Sequence, residues 1–241
     1  MIVLYTDFGV TDPYVGQMRA VLAREAPGVP VIDLLHAVPD FDIRAGAYLL
    51  AALAVQFPPQ AVFVGVVDPG VGGVRRPIML RADGRWYVGP DNGLFHVVAR
   101  RARTVEWWSI DWRPARLSAS FHGRDLFAPV AARLARGEAV AATACEPDMP
   151  ADDWPEDLPA IIYIDHYGNA MTGLRAAEVD RDAVLAVAGR QLQHAPVFSA
   201  VTPGMPFWYE NSIGLIEVAE NRGSAAATLG LRLGDPVELV I

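Results

Sequence analysis

The chain has 241 residues, of which 52% are hydrophobic, so it can bury a core that suits one large domain or two smaller ones. Its net charge of −8 and pI near 5.1 argue against a nucleic-acid partner, which requires a basic face. All 20 basic residues are arginine, which excludes a catalytic lysine, and the single Cys145 excludes an intrachain disulfide framework and a cysteine-rich metal site.

Strand and helix patterns alternate in the first part of the chain. A strand at 2–5 precedes a helix from Asp12-Pro13 to about Glu25, and a strand at 29–35 precedes an apolar helix at about 43–56. Further elements follow in the order strand, strand, strand, helix, strand and helix, at residues 61–67, 77–82, 86–89, 94–101, 105–110 and 126–135. This alternation predicts an α/β fold with a mainly parallel sheet flanked by helices.

The pattern changes in the second part of the chain. Residues 146–159 carry six acidic residues and four prolines, a composition that disfavours a helix or a central strand. We therefore expect an N-terminal domain at 1–145, an acidic proline-rich linker at 146–159 and a C-terminal domain at 160–241. Short apolar runs separated by glycine and proline turns predict a small C-terminal β-barrel of about five strands.

The sequence shows no feature of a membrane or metal-binding protein. The apolar run at 45–57 is shorter than the roughly 20 residues that a membrane-spanning helix needs. The five histidines form none of the usual metal-ligand spacings, so we predict no metal site. Met1 leads directly into a strand without a basic, apolar leader, and the expected location is therefore cytoplasmic.

The most informative stretch is Asp68 to Arg76, which follows the buried strand at 61–67. Asp68 is the first polar residue beyond the carboxyl end of that strand, the edge where ligands bind in open α/β sheets. Three glycines in the next positions permit a sharp turn, which predicts that Arg75 returns towards Asp68. The alternative interpretation is a tight turn closed by a surface salt bridge.

Two further stretches contain candidate functional residues. His122 precedes the helix at 126–135, where it can act as a base or orient a water molecule, or can simply cap the helix. Asp165 and Asn169 flank Tyr167 after a strand, which offers an acceptor for an ammonium group, a stacking ring and an amide. An ordinary turn with side-chain-to-backbone hydrogen bonds is the alternative there.

Taken together, six motifs are more specific than any one of them. They are Thr6-Asp7-Phe8-Gly9, Asp68-Pro69-Gly70-Val71-Gly72, Gly89-Pro90-Asp91-Asn92-Gly93, Phe121-His122-Gly123-Arg124-Asp125, Asp165-His166-Tyr167-Gly168-Asn169 and Asn221-Arg222-Gly223. In this order and spacing they resemble the S-adenosyl-L-methionine hydroxide adenosyltransferases, relatives of the bacterial fluorinase and chlorinase. The resemblance covers both domains and implies a homotrimer with substrate bound between the N-terminal domain of one subunit and the C-terminal domain of its neighbour.

The resemblance also implies roles for individual residues. The water-activating set corresponds to Asp68, Arg75 and His122, and the acid that binds the ribose hydroxyls corresponds to Asp7. The remaining matches are Tyr14, Phe41 and Phe121 near the ribose, Asp165 at the methionine ammonium, Ser212 at its carboxylate, and Tyr167, Asn169, Asn221 and Arg222 around adenine. Ile213 stands where the fluorinase has an arginine, so the group that neutralises the methionine carboxylate stays open.

The implied activity is hydrolysis of S-adenosyl-L-methionine at C5′ to adenosine and methionine, without a cofactor or metal. Two alternatives are halide-dependent adenosyl transfer of the chlorinase kind and a non-catalytic module that binds adenosine or S-adenosylmethionine. The halogenases replace parts of the Asp, Arg and His set, whereas this chain keeps all three, which favours hydrolysis.

Overall fold

The computed structural model describes residues 1–148 and 154–240, and the chain divides into two compact units, Met1–Asp153 and Trp154–Ile241. Part of the expected linker, residues 149–153, lies outside the described residues, as does the last residue of the expected C-terminal strand. The domain boundaries at 145 and 160 therefore stay a prediction.

The first unit is built on one sheet of seven strands, counted over its described residues. They are β1 (Ile2–Thr6), β2 (Val31–Leu35), β3 (Val62–Val66), β4 (Pro77–Ala82), β5 (Arg85–Pro90), β6 (Val105–Ile110) and β7 (Ala142–Ala144). Their order across the sheet is β2-β1-β3-β5-β4-β6-β7. The first four pair in parallel and the last three are added antiparallel, which confirms the predicted mainly parallel sheet.

Helices cover both faces of this sheet, as the alternating pattern predicted. They are α1 (Pro13–Glu25), α2 (Ile43–Ala54), α3 (His96–Arg101) and α4 (Ala128–Ala135). Helix α1 packs against α4, and α2 packs against α3. Each strand of the β1 and β3 pair is buried along its whole length between these layers.

The segment before α4 differs from the expected α-helix at 126–135. Residues Gly123–Phe127 form a π-helical turn, in which the Ala128 N–H donates to the carbonyl oxygen of Gly123, five residues earlier. Pro129 has no N–H and cannot donate the regular i to i−4 bond to the Asp125 carbonyl oxygen, so the α-helical hydrogen-bond pattern is also interrupted at the next residue. The π turn begins directly after His122.

The order of the strands reverses at β1, which creates a topological switch point of the kind at which ligands bind in open α/β sheets. β1 lies between β2 and β3, so the chain leaves β1 in one direction and returns to its other side after β2. The carboxyl ends of β1 and β3 lie side by side, and the Asp7 N–H donates to the Val66 carbonyl oxygen at 3.3 Å. Asp7 and Asp68, the first residues with acidic side chains after these strands, therefore lie at the switch point where ligands bind.

The second unit contains two antiparallel sheets and the short helix α5 (Ala225–Leu229). Its strands are β8 (Leu158–Ile164), β9 (Ala170–Arg175), β10 (Val184–Val187), β11 (Arg190–Leu192), β12 (Pro206–Glu210), β13 (Leu215–Glu220) and β14 (Val237–Val240). The sheets have the orders β12-β13-β9-β8 and β11-β10-β14. Isolated bridges between Ala160 and Pro236 and between His194 and Trp208 join the sheets at both edges, as in a small barrel.

The expected number of about five strands was too low, because seven strands lie in residues 154–240. Strand β9 escaped prediction because it contains Gly173, against which Leu158 packs so closely that a Cβ there would lie 2.6 Å from the Leu158 Cβ. Strand β11 has only three residues, too few to show a periodic pattern. In addition, β8 begins at Leu158, inside the expected linker.

Candidate active site

An ion pair between Asp68 and Arg75 lies at the carboxyl end of β3. The Arg75 Nε donates to Asp68 Oδ1 at 3.0 Å, and Nη2 donates to Oδ2, so the contact is bidentate. The side chains of Arg75 and Asp68 are 9% and 4% exposed, so the pair is buried and the alternative of a surface salt bridge is wrong. The predicted return of Arg75 to Asp68 is confirmed.

Glycine at position 72 allows this turn to approach the segment before His122. Gly72 has φ +76°, a left-handed conformation that glycine adopts without strain. A Cβ at this position would lie 2.4 Å from the carbonyl oxygen of Ala119, a distance that no real Cβ contact shows. The absence of a side chain at Gly72 therefore permits the close approach of this turn to Ala119, three residues before His122.

His122 contacts Arg75 through one ring nitrogen. The Arg75 Nη2 lies 3.0 Å from His122 Nδ1, and because a guanidinium can only donate, Nδ1 is the acceptor. The neutral ring then carries its proton on Nε2, which is left as a hydrogen-bond donor. Burial, followed by the positive charge of Arg75, lowers the pKa of His122 below its usual value, which favours this neutral form.

One nitrogen of the Arg75 guanidinium, Nη1, takes no part in the contacts with Asp68 and His122. The guanidinium lies over the ring of Phe127 at 5.5 Å, which fixes its plane from one side. Its Nη1 is buried without a hydrogen-bond partner among residues 1–148 and 154–240. A buried cationic donor without an acceptor is costly in a folded protein, so its position indicates an anion or a polarised oxygen as the missing partner.

Asp7 and Phe41 are linked by a hydrogen bond between the loops that follow β1 and β2. The Phe41 N–H donates to Asp7 Oδ2 at 3.2 Å, so one carboxylate oxygen orients the loop that precedes α2. Phe41 has φ +61°, and the residue is 71% exposed, which leaves the ring free to contact a ligand. Burial raises the pKa of Asp7, and the nearby negative charges of Asp40 and Asp68 raise it further. The hydrogen bond from the Phe41 N–H opposes this increase in part.

Three aromatic side chains form a cluster that includes the residue directly after Asp7. Phe8, Tyr14 and Phe121 have ring centroids 5.5 to 5.8 Å apart in every pair. Tyr14 and Phe121 therefore contact each other, and their place near the ribose stays a prediction. Phe8 was missed as a member, although its place directly after Asp7 was the available signal.

In the second unit, Asp165 organises the turn that follows β8. It accepts hydrogen bonds from the Tyr167 and Asn169 N–H groups, both at 2.9 Å, and from Asn169 Nδ2 at 3.0 Å. These hydrogen bonds are those of the alternative interpretation, a turn stabilised by side-chain-to-backbone bonds. The same bonds leave Tyr167 exposed at the tip of the turn, where its ring can stack on a ligand.

This turn packs against the loop that contains Asn221 and Arg222. A Cβ on Gly168 would lie 2.0 Å from Ser224 Oγ, and the Ala226 N–H donates to the Gly168 carbonyl oxygen at 2.9 Å. Asn221 Nδ2 donates to the Val201 carbonyl oxygen at 2.7 Å, which anchors the loop. The two stretches assigned to adenine by resemblance are thus neighbours in the structure.

Ser212 lies on an exposed turn that Asn211 holds in place. The Asn211 Oδ1 accepts from the Ile213 and Leu215 N–H groups, at 3.1 and 3.0 Å. Its Nδ2 donates to the buried carboxylate of Glu217 at 2.8 Å, and that carboxylate also accepts from the Tyr209 hydroxyl at 2.6 Å. Burial raises the pKa of Glu217. The sequence did not indicate this residue as a candidate, because Glu217 lies in an otherwise apolar strand.

Across the described ranges 1–148 and 154–240, no group of three or more His, Cys, Asp or Glu side chains is arranged to hold a metal ion. In the same ranges, no helix has the length and apolar character needed to cross a membrane.

Comparison with known proteins places this geometry in a family. Residues 2–144 match the profile of the SAM hydroxide adenosyltransferase N-terminal domain, and residues 159–238 match that of the C-terminal domain. A protein of Thermus thermophilus named (R)-S-adenosyl-L-methionine hydrolase is 42% identical over 98% of this chain and 97% of its own length. A protein of the same name from Salinispora arenicola is 43% identical over 97% of this chain and 95% of its own length. A more distant relative, the fluorinase of Nocardia brasiliensis, is 25% identical over 100% of this chain and 97% of its own.

A solved structure shows the same fold. An uncharacterised conserved protein from Thermotoga maritima superimposes with a TM-score of 0.90 at 30% identity, and each chain is covered completely. The two profile matches span most of the sequence and contain the Asp68, Arg75 and His122 cluster as well as the Asp165 turn. The chain belongs to the SAM hydroxide adenosyltransferase family.

Proposed function

We propose that this protein hydrolyses S-adenosyl-L-methionine to adenosine and L-methionine. The observation that carries the proposal is the buried cluster in which Asp68 fixes Arg75 and Arg75 contacts His122, while Arg75 Nη1 has no acceptor among the described residues. Membership of the family and the near full-length relatives named (R)-S-adenosyl-L-methionine hydrolase support it.

The chemistry requires little acid catalysis. C5′ of the substrate is electrophilic because it is bonded to a sulfonium, and methionine leaves as a neutral thioether. A hydroxide that attacks C5′ forms the C–O bond of adenosine as the C–S bond breaks, and the proton lost from water passes to solvent. Opposite charges cancel in this transition state, so a preorganised site with little water favours it.

Arg75 and His122 act as donors to the attacking oxygen. Arg75 Nη1 supplies positive charge, which favours hydroxide over water, and the Nε2–H of neutral His122 orients the oxygen. A role of His122 Nδ1 as general base is disfavoured because that nitrogen already accepts from Arg75. Asp68 is also a poor base, because both of its oxygens accept from the same guanidinium.

Substrate binding is assigned to the remaining residues. Asp7, which keeps one oxygen beyond its bond to Phe41, accepts the ribose hydroxyls. The other assignments are Tyr14, Phe41 and Phe121 around the ribose and C5′, Asp165 at the ammonium, Ser212 at the carboxylate, and Tyr167, Asn169, Asn221 and Arg222 around adenine. Asp7, Tyr14, Phe41 and Phe121 belong to the first unit, and the other binding residues belong to the second.

The decisive experiment is product analysis in ¹⁸O-labelled water with chloride present and absent. Labelled adenosine plus methionine is the expected result, and Arg75→Ala serves as the matched inactive control. Halogenated deoxyadenosine would instead indicate adenosyl transfer to halide, and unchanged substrate would indicate a binding module. Offering both epimers at the sulfonium sulfur tests whether the (R) preference stated in the relatives' name extends to this protein.

The proposal includes a homotrimer and a reaction without metal or cofactor. A thioether leaving group needs no Lewis acid, and the charge of Arg75 beside Asp68 opposes cation binding at the same carboxylate. The trimer rests on the family resemblance. Light scattering across a dilution series, with activity measured before and after chelation, tests both parts: a fully active monomer contradicts the shared site, and activity restored only by a divalent ion contradicts the metal-free reaction.

A further inference from the structure

The segment from Asp68 to Arg75 is attached at both ends to the turn that follows β5. At the leading end, Asn92 Nδ2 donates to the carbonyl oxygen of Val67 at 2.8 Å. Val67 directly precedes Asp68 and is fully buried. The amide of Asn92 is itself oriented, because its Oδ1 accepts from the Leu94 N–H at 3.3 Å.

At the trailing end, Asp91 holds the residue after Arg75. Its Oδ2 accepts from Arg76 Nε at 3.1 Å and from Nη2 at 2.7 Å, and the Asp91 N–H donates to the Arg76 carbonyl oxygen at 2.9 Å. The Asp91 side chain is 0% exposed. Its Oδ1 is buried without a partner among the described residues, so Arg76 is the cation that compensates the charge of Asp91.

Attachment matters here because the segment between these points is intrinsically adaptable. It contains Gly70, Gly72 and Gly73, and no regular strand or helix forms between β3 and β4. Arg75 must nevertheless hold Asp68 in a bidentate contact and His122 at 3.0 Å. A displacement of about 1 Å at such a site can cost about 10²-fold in rate.

We infer that Asp91 and Asn92 form a clamp that positions the catalytic segment, with Asn92 acting through Val67 and Asp91 acting through Arg76. This inference rests on the proposed function for its kinetic consequence. Neither residue contacts the reacting atoms in this scheme, so both are positioning residues. The clamp explains why two consecutive residues of the turn after β5 have side chains directed at the two ends of one neighbouring turn.

Two nearly isosteric substitutions test the clamp. Asn92→Asp keeps the acceptor for Leu94 but replaces the donor to Val67 by a carboxylate oxygen, and Asp91→Asn removes the charge that binds Arg76. The matched control is Asp148→Asn, because Asp148 pairs with the same Arg76 but its side chain is 54% exposed. We expect kcat to fall about 10²-fold in both clamp variants, with KM and adenosine affinity within about threefold of wild type. The control should keep wild-type kcat.

A second readout follows the clamp without turnover. The ¹⁵N shifts of the His122 ring report whether Nδ1 still accepts from Arg75, and we expect them to change in both clamp variants and not in Asp148→Asn. Wild-type kcat in a folded Asn92→Asp variant overturns the inference, as does a parallel loss of kcat and adenosine affinity, which would indicate general destabilisation. If Asn92→Asp fails to fold, Asp91→Asn decides by the same two readouts.

These readouts separate the clamp from the proposed function. A wild-type protein that leaves S-adenosylmethionine intact refutes hydrolysis, whereas unchanged His122 ring shifts in both folded variants refute the clamp alone. The double variant Asn92→Asp with Asp91→Asn gives a further check. Because both residues act on the same segment, their effects on kcat should be less than multiplicative.

Discussion

Replacing Gly72 by alanine should impair the active site while leaving the chain folded. The left-handed φ of +76° costs alanine about 1–2 kcal/mol, which lowers the free energy of unfolding by a similar amount. The new Cβ would also lie 2.4 Å from the Ala119 carbonyl oxygen, against 3.4 Å for the shortest ordinary contact, so about 1.0 Å of overlap must be relieved. The positions of the new Cβ and of the Ala119 oxygen are both fixed by the backbone, so no side-chain rotation relieves the overlap. The turn must therefore move away from the loop before His122.

The kinetic consequence follows from that displacement. Arg75 and His122 lie on the two sides of the contact, so a shift of about 1 Å breaks the bond to Nδ1 and should lower kcat about 10²-fold. Gly70→Ala is the matched control, since its Cβ would meet only ordinary contacts, at 3.7 Å from Arg75 Cγ and 4.0 Å from Asp68 Oδ1. Its kcat should stay within about threefold of wild type.

The assay combines initial rates of adenosine release, quantified by chromatography, with thermal unfolding followed by circular dichroism. Adenosine affinity, measured by calorimetry, should be nearly unchanged in both variants, because the proposed ribose and adenine contacts lie elsewhere. Equal kcat in the Gly72 and Gly70 variants would refute the reasoning, since it would mean that the approach of the turn to Ala119 does not position Arg75.

Four further outcomes follow from the same geometry. The pKa of His122 is lowered, so the ring stays neutral as pH falls through 6.5. The acid limb of the kcat/KM profile should therefore lie below pH 6.5, and an acid limb above that pH would contradict the role of neutral His122. Arg75→Lys should lower kcat about 10²–10³-fold in single-turnover assays, because an ammonium cannot satisfy Asp68 and His122 in the same geometry. Asp7→Asn keeps an acceptor for the Phe41 N–H but loses the charge, so calorimetry should show adenosine affinity reduced at least about tenfold, by about 1.5–3 kcal/mol. Asp68→Asn should weaken binding of cationic S-adenosylmethionine by roughly 1–2 kcal/mol more than binding of neutral adenosine, and equal losses would argue against a charge-balancing role.

Most of the first unit could be predicted because its signals are local. The strand at 61–67 is apolar throughout, and the structure buries β3 on both faces, while Asp12-Pro13 marks the start of α1 correctly. The π-helical turn after His122 was not predictable from periodicity. It depends on a bond from the Ala128 N–H to the carbonyl oxygen five residues earlier, and a hydrophobic pattern does not distinguish that bond from one to the fourth residue.

The second unit was harder because its strands are short and their packing is set by distant partners. Gly173 is a strand residue that a sequence pattern presents as a breaker, and only its contact with Leu158 explains why it belongs in β9. The site residues show the same division. The turn from Asp68 to Arg75 was predictable from a strand end and three glycines, whereas the tautomer of His122 depends on which of its nitrogens faces Arg75.

The charge balance of the cluster explains why an arginine that favours hydroxide can serve a cationic substrate. An unpaired Arg75 would attract hydroxide but repel the sulfonium, and the two effects would oppose each other at C5′. Asp68 removes the net charge, while its two bonds to Nε and Nη2 leave Nη1 free to donate. A buried ion pair of this kind adds little net stability, because the cost of desolvating both ions offsets their attraction. The ion pair between Asp68 and Arg75 therefore contributes by positioning. It is neutral as a whole and holds Nη1 in place at the sheet edge where β1 and β3 end.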